Sequence, residues 1–137
     1  MKKLSRFSCL FAALLLLFAT SGCEKKSKTE LLTSHIWNWN KLTTTSVDQN
    51  IQAIVALANV LMIGATWEFY ENGTCTMTPT TGDPQNQTWE LSDDENELIL
   101  DGEAMPIKKL TDDDLILEGE ETSDQYGTYL ITMYWEK

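Results

Sequence analysis

Residues 66–78 read Thr-Trp-Glu-Phe-Tyr-Glu-Asn-Gly-Thr-Cys-Thr-Met-Thr. Two alternating runs flank Asn72-Gly73, the pattern of a β-hairpin. The length of the loop decides what this hairpin can bury. A two-residue loop at Asn72-Gly73 sets Glu71 across from Thr74. Cys75 and Met77 then share a face with Glu68 and Tyr70, away from Trp67 and Phe69. A three-residue loop, Glu71-Asn72-Gly73, pairs a type I turn with a left-handed Gly73 in a bulge. Trp67 then stands across from Met77, and Phe69 from Cys75. Only this second arrangement gathers all four apolar side chains on one face, and a one-residue slip would turn a strand's whole apolar set outward. The hairpin therefore predicts a sheet with one buried face.

The same period recurs along the chain. Residues 35–43 alternate, with Trp37 and Trp39 on one face and Asn38 and Asn40 on the other. Residues 88–91 turn Trp89 and Leu91 inward, and 97–101 do the same with Leu98 and Leu100. Residues 104–110 carry Ile107. Pro106 cannot donate to a ladder, so it is expected at the start of that strand or at a bulge. Residues 115–118 follow, and 127–136 place Tyr129, Ile131, Met133 and Trp135 on one face. Eight strands joined by short turns tend to close, because closure removes exposed edges. The expected fold is all-β: an eight-stranded antiparallel up-and-down barrel.

One stretch breaks the period. In residues 47–63, Val47, Ile51, Ile54, Val55, Ala58, Leu61 and Met62 fall on one helical arc, with Leu57 at its margin and Asp48, Gln49, Gln52 and Asn59 opposite. Ser46 and Gln49 are spaced as a capping box and Gly64 as a stop. The polar arc holds one charge, Asp48, and also Val60 and Ile63. Such a helix can pack over the end of the sheet as core, close a ligand cavity as a lid, or offer a surface to a partner.

The chain opens with Lys2, Lys3 and Arg6, then an apolar run over residues 7–19, then Thr20-Ser21-Gly22-Cys23. That order is a secretory signal, too short for an ordinary membrane span. Ser21-Gly22-Cys23 resembles a bacterial lipoprotein signal, with Thr20 where leucine is usual. The resemblance implies cleavage before Cys23, lipidation of Cys23 and membrane tethering; the alternative is a soluble secreted protein with a free Cys23. The expected organisation is a signal peptide at 1–22, a lipidated Cys23 and polar tether at 23–33, and one domain at 34–137. Residues 24–30 are lysine-rich. In lipoproteins of Bacteroidota-type bacteria an acidic stretch there can direct surface display, so the resemblance implies an outer-membrane anchor facing the periplasm. Cys75, the cysteine left inside the domain, reads as a small buried hydrophobe.

The 137 residues include 10 basic and 21 acidic ones, and three of the basic ones lie in the first 22 residues, which hold no acid; the remainder carries a net −14. Such a surface repels phosphate backbones, which excludes nucleic acid as a partner. His35 is the single histidine, and no second His or Cys accompanies it as a metal ligand. The clusters Asp93-Asp94-Glu95 and Asp112-Asp113-Asp114 lack the spaced ligands of a calcium loop and read as solvated turns. No cofactor is expected. No nucleophile–base spacing or phosphate loop is visible, so the chain is not read as an enzyme.

Trp37, Trp67-Glu68-Phe69 followed by Asn72-Gly73-Thr74, Trp89-Glu90-Leu91, Ile107-Lys108-Lys109-Leu110 and Leu115-Ile116-Leu117 resemble, in order and spacing, the lipocalin-like domains of bacterial lipoproteins. The resemblance implies a barrel able to hold a small apolar molecule and carries over no catalytic residue. The expected ligand-binding residues are Trp37, Trp39, Ile54, Leu61, Trp67, Phe69, Trp89 and Trp135, around a shallow pocket at the barrel mouth under the helix. So many bulky inward rings argue against a large cavity. The competing reading is an interaction scaffold, with an outer-membrane protein partner on the helix or the acidic loops and no ligand.

Overall fold

The computed structural model describes residues 25–137. Within them run α1 (Lys28–Thr33), β1 (Ile36–Thr44), α2 (Gln49–Leu61), β2 (Thr66–Phe69), β3 (Thr74–Thr78), β4 (Gln85–Leu91), β5 (Glu97–Leu100), β6 (Glu103–Leu110), β7 (Asp114–Ser123) and β8 (Gly127–Glu136). Each strand pairs with its sequence neighbours, and β8 returns to β1, so the sheet closes into an antiparallel barrel. This is the expected eight-stranded antiparallel up-and-down barrel, with a helix between the first two strands. The signal segment and Cys23 lie outside the described residues.

The hairpin has the register that its side chains require. Trp67 stands opposite Met77 and Phe69 opposite Cys75. Gly73 takes φ +81°, and its N–H donates to the Tyr70 carbonyl at 3.1 Å. That backbone region is open to glycine at little cost. Asn72 Oδ1 accepts from the Thr74 N–H at 3.0 Å, which locks the loop from the side-chain side.

The domain starts earlier than residue 34. Ser27 caps α1 in a complete capping box with Glu30, and Leu32 is wholly buried. The part of the expected tether from Lys28 onward is thus a short helix that plugs the barrel. Its backbone is tied in as well: Trp37 Nε1–H donates to the Leu32 carbonyl at 3.0 Å. α1 thereby closes the lower end of the barrel.

The second helix also differs from its sequence reading. It spans Gln49–Leu61, and its N-cap is Asp48, whose carboxylate accepts from the N–H groups of Asn50 and Ile51. A carboxylate two residues closer to the helix outcompetes Ser46, which instead accepts from the Asp48 N–H at 3.2 Å. Ile51 and Val55 face the barrel and are buried. Asn59 does not face solvent. Its Oδ1 accepts from the Leu42 N–H at 2.6 Å and its Nδ2 donates to the Leu42 carbonyl at 2.9 Å. The reason lies in strand lengths. β2 pairs with β1 only from Ile36 to Asn38, so the upper part of β1 has no strand on that side. The Ala65 carbonyl takes the Trp39 N–H, and the Asn59 amide serves Leu42 as a neighbouring strand would.

Two bulges adjust the lining. One between Trp39 and Lys41 sends Lys41 out over the Tyr134 ring and turns Leu42 in, opposite Met133. The other lies between Ile107 and Lys109. Pro106 sits fourth in β6, just ahead of that bulge and opposite Glu97. It is therefore not at the strand's start, and the irregular ladder beside it tolerates its missing N–H.

Candidate functional site

The inward residues divide the barrel by height. Leu32, Trp37, Phe69, Cys75, Leu98, Leu115 and Leu117 fill the lower part and are buried. Trp39, Met62, Met77, Met105 and Met133 pack against that core but are only partly buried. Still higher on the same face, Gln85, Glu103 and Glu121 are exposed. The lumen is therefore solid below and open to solvent above. Methionine, unbranched and polarizable, suits a wall that must fit more than one shape. Gly119 lies inward opposite Ile131, with the Met105 methyl 3.6 Å from where a Cβ would stand.

Five of the eight sequence-predicted ligand residues form one aromatic column. Trp39 meets Trp135 edge-on at 5.0 Å between ring centroids. Trp135 meets Trp67 at 5.1 Å, Trp67 meets Phe69 at 4.6 Å, and Phe69 meets Trp89 at 5.6 Å. Trp37 stands beside this column, over α1. Ile54 and Leu61 are not brought to it: they project from the outer side of α2, where Ile54, Leu57, Val60 and Leu61, with Ile63 in the turn that follows, are between 58% and 65% exposed.

The five indoles differ in what their ring N–H groups meet. Trp37 donates to the Leu32 carbonyl, and Trp89 donates to the Tyr70 carbonyl, each at 3.0 Å. The buried N–H groups of Trp39, Trp67 and Trp135 have no hydrogen-bond partner. Buried donors in proteins are nearly always paired, so three in one contiguous cluster are unusual. Burial pushes the Cys75 thiol up, and the Trp67 edge pulls the other way.

A surface cleft of about 610 Å³ lies beside the open end. It runs between the turn into α2 (Thr45, Ser46, Asp48, Asn50) and the β7–β8 tip (Tyr126, Tyr129), and its lining is mainly hydroxyl and amide groups. Met105 and this cleft escaped the sequence reading, which places Met77 and Met133 on inward faces. Met105 shares the parity of Ile107, which was the available signal. The cleft joins residues about 80 apart and left none.

The charged groups singled out in the sequence are engaged locally. Asp94 accepts from Ser92 Oγ and from the N–H and Nδ2 of Asn96, and these bonds hold its carboxyl below its ordinary range. Asp112 pairs with Lys26 at 2.6 Å and with His35 Nε2 at 3.2 Å, and Lys26 is the larger cause of its lowered pKa. His35 packs edge-on against Trp37 at 5.8 Å. Among the described residues no group of three or more His, Cys, Asp or Glu side chains gathers around a common point.

No protein-family model matches the chain, and no curated protein does. Solved structures similar to it include a DUF4847 family protein from Bacteroides vulgatus. That likeness has 13% identity, covers 78% of this chain and 96% of that one, and has a TM-score of 0.46. Another is bovine odorant binding protein in complex with a selenium-containing odorant, at 14% identity over 83% of this chain and 74% of that one, with a TM-score of 0.46.

Proposed function

We propose that this protein is a membrane-anchored binding module rather than an enzyme, and that it takes a small hydrophobic ligand into the open upper part of its barrel. The carrying observation is the change in lining with height: a packed floor, then half-buried Trp39, Met77, Met105 and Met133, then exposed inward positions. A barrel meant only as a scaffold has no need of apolar side chains that stay half in water. N-phenyl-1-naphthylamine, a neutral dye that brightens in apolar sites, tests this on the full chain in lipid nanodiscs, against empty nanodiscs. Saturable brightening is expected, reduced when Met133→Trp fills the upper lumen. Brightening no greater than the empty discs would overturn the reading.

The anchor rests on the sequence around Cys23. Lipidation there supplies the membrane affinity, at ~0.8 kcal/mol per buried methylene. The orientation proposed is the outer membrane, facing the periplasm. Cys23→Ser is expected to abolish labelled palmitate incorporation; full labelling of that variant would exclude this anchor.

A second reading is supported by the outer side of α2. The helix contains no charged residue; it exposes Ile54, Leu57, Val60 and Leu61, and the turn after it exposes Ile63, on an otherwise acidic protein. Contiguous apolar patches of this kind mark interaction surfaces. An outer-membrane protein docked there would make the barrel a scaffold. Crosslinking in membranes tests this: an unchanged crosslink pattern after Val60→Lys with Ile63→Lys counts against it.

A further inference from the structure

The unpartnered indoles narrow the chemistry of the ligand. We infer that the lumen above the packed core accepts a neutral molecule with an apolar body and a carbonyl-type acceptor, whose oxygen is taken by the ring N–H groups of partly buried Trp39 and of Trp135, which is buried against it, with Trp67 alongside. This rests on the binding reading above. An indole offers a donor and no acceptor, so a ligand that completes it must bring an acceptor. A buried donor without a partner is costly, and supplying the partner returns that free energy as affinity. The rings themselves do not meet the need. Trp39 and Trp135 touch edge to face, and an aromatic face is a weak acceptor.

The surroundings choose a neutral acceptor over a carboxylate. No charged residue is fully buried among the described residues. The lysines of the barrel wall are occupied outside it: Lys108 with Glu118, Lys109 with Asp114, and Lys41 over Tyr134. The inward positions nearest the open end include Glu103 and Glu121, which repel an anion on its way in. A ketone, ester or lactone satisfies the donors without a buried charge. A hydrocarbon fits the methionine wall but leaves the donors bare.

The test uses the full chain in detergent micelles with ¹⁵N-labelled indoles, titrated with 2-decanone, decane and decanoate, each corrected for partition into empty micelles. All five tryptophans lie in the barrel, so two of them serve as internal references. With 2-decanone, the indole protons of Trp39 and Trp135 are expected to move downfield. Those of Trp37 and Trp89, already bonded to backbone carbonyls, hold still. The ketone is expected to bind about tenfold more tightly than decane, the scale of one good hydrogen bond, and decanoate more weakly than the ketone. Trp39→Phe, which removes a donor from a half-buried ring, is expected to shrink that ratio. Equal binding of ketone and decane with unmoved indole protons would overturn the acceptor inference and leave the binding reading standing. If neither the ketone nor decane binds, the binding reading itself fails. Trp39 and Trp135 protons already far downfield in the free protein, from trapped water, would also overturn the inference.

Discussion

Two groups of tryptophans in one barrel use the same residue type to opposite effect. Trp37 and Trp89 each bury a ring and hand the N–H to a carbonyl within the fold. Trp39, Trp67 and Trp135 bury their rings and leave the N–H unanswered. The first group is complete as structure. The second is apolar enough to pack but keeps a polar requirement that the fold does not meet. A buried aromatic is thus not by itself evidence of a finished core; its heteroatom shows whether the packing is self-sufficient.

Three measurements break or sharpen this contrast. Trp67 is buried in the middle of the aromatic column, in contact with Phe69 on one side and Trp135 on the other. Trp67→Ala is expected to lower unfolding free energy by ~3–5 kcal/mol in denaturant titration. A loss below about 1 kcal/mol would mean that the column does not hold the barrel together. Next comes a matched pair. Leu115→Ala removes a fully buried lower side chain and is expected to cost about 2–5 kcal/mol. Met105→Ala removes a half-buried upper one and is expected to cost about 1 kcal/mol, in line with the smaller area taken from water. Equal losses would erase the distinction between a solid floor and an adaptable rim. The smallest effect concerns the helix: Asn59→Leu forfeits both bonds to Leu42 and is expected to cost about 1–2 kcal/mol. No change would mean that water replaces the amide freely.

Much of the fold was written in alternation. The register around Gly73 follows from where Trp67, Phe69, Cys75 and Met77 must go, and six more runs with the same period leave closure as the remaining way to protect edges. The helix between the first two strands announced itself by a change of period. What stayed hidden was relational. Ser27 and Glu30 stand in capping-box spacing before Leu31 and Leu32, yet that six-residue helix becomes meaningful only when the barrel it plugs is known. Asn59 looks solvent-facing on a helical wheel, because the wheel does not show that β2 falls short of β1. The state of the indole N–H groups was illegible for the same reason. Alternation says that a tryptophan points inward, and only coordinates say whether a carbonyl waits for its nitrogen.

A stave bonded along both edges gives a barrel no preferred place to part. Here one stave is gripped unequally: above Asn38, β1 stays paired with β8 up to Thr44, across one bulge, while its other side depends on one amide side chain and one carbonyl from outside the sheet. Breathing should start at this seam, with deuterium entering at Leu42 before it reaches the long β7–β8 ladder. The seam would then be a side entrance, separate from the open top.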